Sequence, residues 1–495
     1  VLADLARAAG RAVDLVLDPW LRAHCRRRAG LGEVSAAGSA CSGAGFDELV
    51  VARRPAFAAL GAALYRNLRP SSPGPDVLGT LSRWNQARPL AVSVLGTHSG
   101  LSTAVAAAFS AALREGGQDA ELAYLGHWAW CQNVDNCDEL LAKLFQAYQQ
   151  DWAESSTEVN LANFERLQGE LAQTLGRGQL PRLFGADVLL CTRPFLFCWL
   201  LRELWPHDRP QLPMLHYYSG PLLFDVPAGW KERVLAAFRR TVLSSPLDLV
   251  VSSSALQSAW MLAMAGVAVP QVRPHATHLR GLYLAPEREE KLRTMSVIVL
   301  RSTWINSLMG EAFRAILGRL LDSSGLGGVL NFKWLLSGTF LEYEEIAKSH
   351  HAAVFLPEQP DKLTFWEQYE MSMPLWLPTA DFWARIHAIG EYRYSVFARL
   401  WASTLPEGDE AAAACGLPEP LFFRSDSMDE LEVDSPMAPA LWFHLTDYAI
   451  FPHLQLFGSA AELITQLLAA DLGGISAEMA AFNARTWEAS ASFYR

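Results

Sequence analysis

The stretch that decides the fold is Phe340–Pro378, FLEYEEIAKSHHAAVFLPEQPDKLTFWEQYEMSMPLWLP. It opens with an acidic helical turn carrying Glu342, Glu344 and Glu345 and passes into a β-branched and aromatic run, Ala352–Leu356, that reads as a buried strand. A polar loop, Pro357–Leu363, follows with Glu358, Asp361 and Lys362. Thr364 stands three residues before Glu367, a spacing that predicts a helix capped by Thr364 with its free N–H groups facing the loop. Pro374–Leu377 reads as the next strand. Helix, strand, polar loop, helix, strand is the order of an open α/β sheet, where ligands gather beyond the carboxyl ends of the strands.

The chain around it is long enough for two such sheets. Its 495 residues exceed the roughly 250–300 at which one core stops growing. A hydrophobic fraction of 51% with 19% charged residues is a globular composition. The net charge of −11 argues against nucleic acid, whose phosphates require clustered Lys and Arg, yet leaves room for a small phosphate-bearing ligand. Seven cysteines are too few for a disulfide scaffold. Cys131 and Cys137 flank a polar loop and are placed to bridge, whereas Cys191 and Cys198 read as core thiols. No C-x-x-C pair and no Asn-x-Ser/Thr sequon occurs, and no run reaches the roughly 18–20 apolar residues of a membrane span. The chain starts at Val1, so a cytoplasmic location and a Golgi- or ER-associated one with an upstream anchor both stand.

Residues 1–88 read as helices and linkers, with a basic patch at Arg26–Arg28 and a linker at Arg69–Asp76. Pro89–Gly96 is the first strand; it runs into Thr97, His98, Ser99 and Gly100 and then into a helix, and Glu121–Leu125 completes a βαβ unit. This turn is not G-x-G-x-x-G, so a dinucleotide cofactor is not expected. Ala186–Cys191 reads as a strand buried on both faces, followed by Thr192, Arg193 and Pro194. Leu212–His216 is the next strand, with His216 at its end, and Leu247–Ser252 another. A histidine at a strand end is a candidate base because its pKa lies near neutrality; His216, His98 and His127 compete for that role against structural readings. Ser296–Leu300 opens a second core and ends at Arg301, ahead of a helix whose apolar face takes in Ile305, Ile316, Leu317 and Leu321. Phe382–Trp401 reads as an amphipathic helix and Leu405–Pro436 as an acidic excursion. Ser459 and Glu462 have capping-box spacing near the last helices.

Phe340–Pro378, with the strand-end turns before it, resembles the nucleotide-sugar-binding segment of glycosyltransferases of the two-Rossmann-domain (GT-B) architecture. Their pattern is an acidic residue, a loop, a Glu opening a helix, then Gly-x-Pro; here Met373-Pro374 stands for Gly-Pro, and Glu358 lies nine residues before Glu367. The resemblance implies an α/β protein of two Rossmann-like domains facing a cleft, with helical extensions: 1–88 helical, 89–240 an acceptor domain, 241–380 a donor domain, and 381–495 helices packing back across both. It implies donor contacts by Arg301, Lys362, Thr364, Glu367 and Glu358, with Glu367 holding the ribose, and cleft or acceptor contacts by Thr97, Ser99, Gly100 and Arg193. The residues themselves leave Glu367 open as a capping partner and Arg301 open as half of a salt bridge. No Asp-x-Asp triplet occurs, in line with metal-independent transfer. The implied activity is transfer of a sugar from a nucleotide-diphosphate sugar, with retention, to a carbohydrate, lipid or protein acceptor, with no separate cofactor. The alternative is a non-catalytic two-lobed sugar- or nucleotide-binding protein, which the departures at Met373 and Glu358 would suit.

Overall fold

The structure is a computed structural model that describes residues 88–126, 137–152, 157–220, 222–223, 226–265, 267, 269–285, 294–302, 304–336, 341–357, 361–383 and 443–494. The readings made above for the basic patch, the first linker, Cys131, His127, Glu358, most of the helix after Phe382 and the acidic excursion fall outside these residues.

Strands β1 (Leu90–Leu95), β2 (Ala120–Leu125), β3 (Cys137–Asp138), β4 (Val188–Cys191), β5 (Met214–Tyr218) and β6 (Asp248–Ser252) form one parallel sheet in the order β3-β2-β1-β4-β5-β6. A second parallel sheet holds β7 (Met295–Val299), β8 (Leu330–Trp334), β9 (Ala352–Val354), β10 (Leu375–Pro378) and β11 (Gln455–Phe457) in the order β11-β10-β9-β7-β8. Counted from its own first strand, the first sheet is wound 3-2-1-4-5-6 and the second 2-1-3-4-5, the two doubly wound orders of nucleotide-binding α/β folds. The protein therefore consists of two Rossmann-like α/β lobes. The first sheet extends past residue 240 to Ser252, and an isolated bridge from Ser252 to Gln271 lengthens its edge, so the crossing between lobes falls between 271 and 295. The strands read as apolar runs because helices cover both faces: β4, VLLC, and β5, MLHYY, are buried throughout.

The helices are α1 (Ser99–Glu115), α2 (Glu139–Trp152), α3 (Thr157–Gly176), α4 (Pro181–Phe184), α5 (Phe195–Glu203), α6 (Lys231–Ser244), α7 (Ala255–Ala265), α8 (Leu308–Ser324), α9 (Tyr343–Ser349), α10 (Leu363–Glu370), α11 (Asp447–Ile450), α12 (Ala460–Ala469) and α13 (Leu472–Tyr494). Ser307 caps α8 by accepting from the Gly310 N–H, and α8's Ile316, read above into the apolar face, is exposed. Ser459 caps α12 as its spacing predicts, and Glu462 returns a bond to the Gly458 N–H at 2.8 Å.

One apolar core lies under α2, α3 and α5, where Phe145 stacks on Phe197 at 4.0 Å between centroids. A second runs unbroken from Val92 and Phe109 of the first lobe to Ile298, Phe365 and Trp383 of the second. A third fills the other face of the second sheet around Phe313, Leu317 and Leu463. Helix α13 returns to the first lobe: Tyr494 meets Phe109 edge-on at 5.6 Å, and the Trp487 indole donates to Glu115 at 2.8 Å. Cys191 and Cys198, expected as thiols, form a disulfide joining β4 to α5; their Cα atoms are 6.2 Å apart because one turn separates the strand end from the helix. Cys137 is also disulfide-bonded.

Candidate functional site

In a doubly wound sheet the crevice opens where the strand order reverses, between β1 and β4 in the first lobe and between β7 and β9 in the second. The segments leaving those four strands carry most of the residues singled out in the sequence. Beyond β1 lie Gly96, Thr97, His98, Ser99 and Gly100; beyond β4, Thr192 and Arg193; beyond β7, Arg301; beyond β9, Asp361 and Lys362 leading into α10.

On the second lobe, α10 begins two residues earlier than its spacing suggested. Lys362 occupies the N-cap with an extended backbone and makes no side-chain cap bond. Thr364 lies inside the first turn, so the Thr364–Glu367 capping box does not form. Glu367 instead turns toward α9, where the Tyr343 hydroxyl donates to its Oε2. Burial raises the Glu367 carboxyl to about 7, against the pull of that bond. Burial likewise pushes the Tyr343 phenol up, with the Glu367 charge adding to it and Arg301 opposing it. Arg301, exposed just past β7, is thus close enough to act on the group that holds Glu367. The structure joins Glu367 of α10 to Tyr343 of α9, and the Arg301 charge just past the end of β7 acts on Tyr343.

On the first lobe, the two strand-end turns are stitched together. The Thr97 N–H donates to the Arg193 carbonyl at 3.0 Å, and the Ser102 and Thr192 hydroxyls pair at 2.9 Å. Gly96 is required by this packing: a Cβ there would stand 1.8 Å from Thr192 Oγ1 and 2.4 Å from Ser102 Oγ. His98 is the N-cap of α1, its Nδ1 accepting from the Leu101 N–H at 3.2 Å. With Nδ1 committed as an acceptor, the neutral ring carries its proton on Nε2, so His98 presents a donor rather than a base.

His216 does not close its strand. β5 continues to Tyr218, and the imidazole lies in the core with Nδ1 against the Tyr218 hydroxyl at 2.9 Å and Nε2 against Asp248 at 3.1 Å. Asp248, also joined to Arg202, is drawn well below the usual carboxylate range by His216 and Arg202 against the cost of burial. Both ring nitrogens are engaged away from the crevice, which removes the geometric basis for His216 as a base. Among the described residues one His/Cys/Asp/Glu group has metal-ligand proximity, Cys191, Cys198 and His216 with atoms within 4.8 Å, but it is buried and its cysteines are bonded to each other.

The lobes meet at these same turns. A Cβ on Gly100 would stand 2.4 Å from Cδ2 of Leu363, the first residue of α10. Asp361 reaches across to the first lobe, accepting from Gln257 Nε2 at 2.7 Å and from the Ser219 hydroxyl at 3.3 Å. Arg193 and Lys362 both act on its charge, while burial raises its carboxyl above the ordinary value. Asp361, Tyr343, Ser219 and Gln257 were not singled out in the sequence. Asp361 had only its place in the polar loop as a signal; the others had none.

No family model matches the chain, and no curated protein matches it. Among solved structures, the chain is similar to SsfS6, a glycosyltransferase from Streptomyces sp. SF2575, at 13% identity over 76% of this chain and 99% of that one, with a TM-score of 0.33. It is also similar to the spinosyn rhamnosyltransferase SpnG at 11% identity over 77% of this chain and 100% of that one (TM-score 0.31), and to SpnG complexed with thymidine diphosphate at 12% identity over the same shares (TM-score 0.28). Those scores are too low to carry an argument; sheet topology and crevice geometry carry it instead.

Proposed function

We propose that the protein is a glycosyltransferase that takes a nucleotide-diphosphate sugar as donor in its second lobe and binds the acceptor against its first. The observation that carries this reading is the Tyr343–Glu367 bond on α10, near Arg301 just past the end of β7, on the helix whose first residue, Leu363, abuts Gly100 of the first-lobe turn. A buried carboxylate such as Glu367, in the middle of α10, is suited to accept from two ribose hydroxyls, and Tyr343 holds it in place until they arrive. Transfer breaks the bond between the anomeric carbon and the diphosphate. Arg301 and Lys362 stabilise the charge growing on the departing oxygens without a metal ion, and preorganised groups of this kind are usually the largest catalytic contribution. The His98 Nε2–H faces the same task from the first lobe. The sugar's anomeric configuration is kept, as the motif resemblance implies.

The test is incubation with a panel of nucleotide sugars, followed by assay of free nucleoside diphosphate. Release that Glu367→Ala abolishes is the expected result. Saturable binding without release, across donors and acceptors, would instead support a two-lobed binding protein.

A further inference from the structure

Asp361 belongs to the second lobe, yet its carboxylate is held by the first. Gln257 Nε2 donates to it at 2.7 Å and Ser219 Oγ at 3.3 Å, and the Arg193 charge pulls on it from the turn after β4. The first lobe is built around this group of donors. Gly220, next to Ser219, sits at a φ of +114°, and a Cβ there would stand 3.1 Å from Arg193 Cδ, so glycine lets the arginine pack against the turn after β5. Gln257 lies in the first turn of α7, aligned by the Ser254 hydroxyl, which accepts from its backbone N–H at 3.2 Å. The neighbouring Ser253 hydroxyl is wholly buried and has no partner. An amide and a hydroxyl donating to one carboxylate, within the attraction of a guanidinium, make up the surroundings of an anion site.

We propose that this part of the first lobe is a binding site for an anionic group of the acceptor, a carboxylate or a phosphate, and that Asp361 fills it in the resting protein. The word acceptor rests on the glycosyltransferase reading; the anion site does not. Displacing Asp361 frees its carboxylate for the crevice and leaves Arg193, Ser219 and Gln257 for the incoming group. The other titratable groups facing it are Lys362, which adds attraction, and Asp447, whose carboxyl burial raises to about 7 while the Trp366 indole donates to it at 2.6 Å. Asp447 repels an anion only in its ionised form, which burial holds back until about pH 7.

The test uses the full chain carrying Arg301→Ala in every arm, which removes the guanidinium of the donor side, with inorganic phosphate and acetate as probes in thermal-shift titrations. An internal competitor lowers apparent affinity by the fraction of time it occupies the site. Asp361→Asn keeps an acceptor for Gln257 but loses the charge, so phosphate should bind on the order of tenfold more tightly than to the Arg301→Ala parent. Adding Arg193→Ala should cancel that gain. No gain in Asp361→Asn, or a gain that survives Arg193→Ala, overturns the proposal. A second measurement spares Asp361: matched acceptors with and without a carboxylate or phosphate are compared in the wild-type enzyme and in Arg193→Ala. The charged member should have the lower KM in wild type alone; equal KM values overturn the proposal, and the carboxylate and phosphate arms identify which anion is preferred. A phosphate gain in these arms, with no nucleotide binding by the wild-type protein carrying Arg301, would overturn the donor reading alone. Nucleotide binding without a phosphate gain would overturn this inference alone.

Discussion

Glu370 lies three residues beyond Glu367 on α10, in the most heavily buried charge cluster described. Its Oε2 is 3.4 Å from Arg273 Nη2 and 3.1 Å from His275 Nδ1, and its Oε1 accepts from Arg280. Arg273 continues to Asn483 at 2.5 Å and to Thr486, and its guanidinium stands 4.5 Å from the Phe451 ring centre. The Arg273 side chain is 1% exposed and Glu370 is 0% exposed. Glu370→Gln removes the charge and leaves a buried guanidinium without its counterion. Two routes give the magnitude. Breaking a buried pair costs roughly 3–5 kcal/mol. His275, Arg273 and Arg280 also hold the Glu370 carboxyl at about 2 instead of 4.5, despite burial, and a shift of that size is worth about 3 kcal/mol. With a urea m-value of roughly 3 kcal/mol/M, the unfolding midpoint, read by tryptophan fluorescence, should fall by about 1 M. The sign with pH follows from proton binding. Glu370's contribution is complete above 4.5 and is lost as pH falls towards 2. Burial lowers His275 to about 4, so the unfolded chain binds its proton first and stability also drops between 6.5 and 4. The wild-type protein should therefore weaken steadily on acidification below 6.5, and Glu370→Gln should show a shallower limb below 4.5. A midpoint unchanged within about 0.2 M, with a superimposable acid limb, would refute the reasoning.

Two further outcomes follow from the crevice. Gly96→Ala drives a methyl group into the Ser102–Thr192 pair and should cost roughly 1–3 kcal/mol, seen as a lower Tm together with weakened activity, because the displaced turn carries Thr97 and His98. Glu367 holds its proton up to about 7, so its stabilising contribution is present below 4.5 and lost as pH rises to about 7. Ribose hydroxyls need the ionised carboxylate, so nucleoside-diphosphate affinity, measured calorimetrically, should climb as pH passes 7. Glu367→Gln should flatten both profiles and weaken binding at pH 8 roughly tenfold; an unchanged affinity profile would remove Glu367 from the donor site.

The sequence carried the sheet strands well because parallel strands covered on both faces are apolar end to end. Leu90–Leu95, Val188–Cys191 and Ala352–Val354 all lie inside the runs from which they were read. The strand-end turns followed from those boundaries, which placed Arg301 and Gly96–Gly100 at the crevices. Where strand ends were misjudged, so was the chemistry: ending β5 at His216 instead of Tyr218 put a core imidazole at a crevice. The Thr364 cap failed because spacing alone does not reveal which residue adopts the extended backbone, and Lys362 does. The Cys191–Cys198 disulfide, the Tyr343–Glu367 bond and the Asp361 contacts depend on approaches between separate elements, or across a turn, that no periodicity encodes.

Helix α13 has a consequence for how the protein is made. Arg273 and Asn483 are separated by 210 positions, and Glu370 and Arg273 by 97. Among the described residues, helix α10 first meets partners on its C-terminal side at Asp447, Tyr448 and Phe451, and its charge cluster is completed only when Asn483 has left the ribosome. The first lobe's strands are synthesised long before that, so during translation an early-folding half waits with an apolar flank uncovered, and closure of the second half is a late, long-range event of the kind that slows folding.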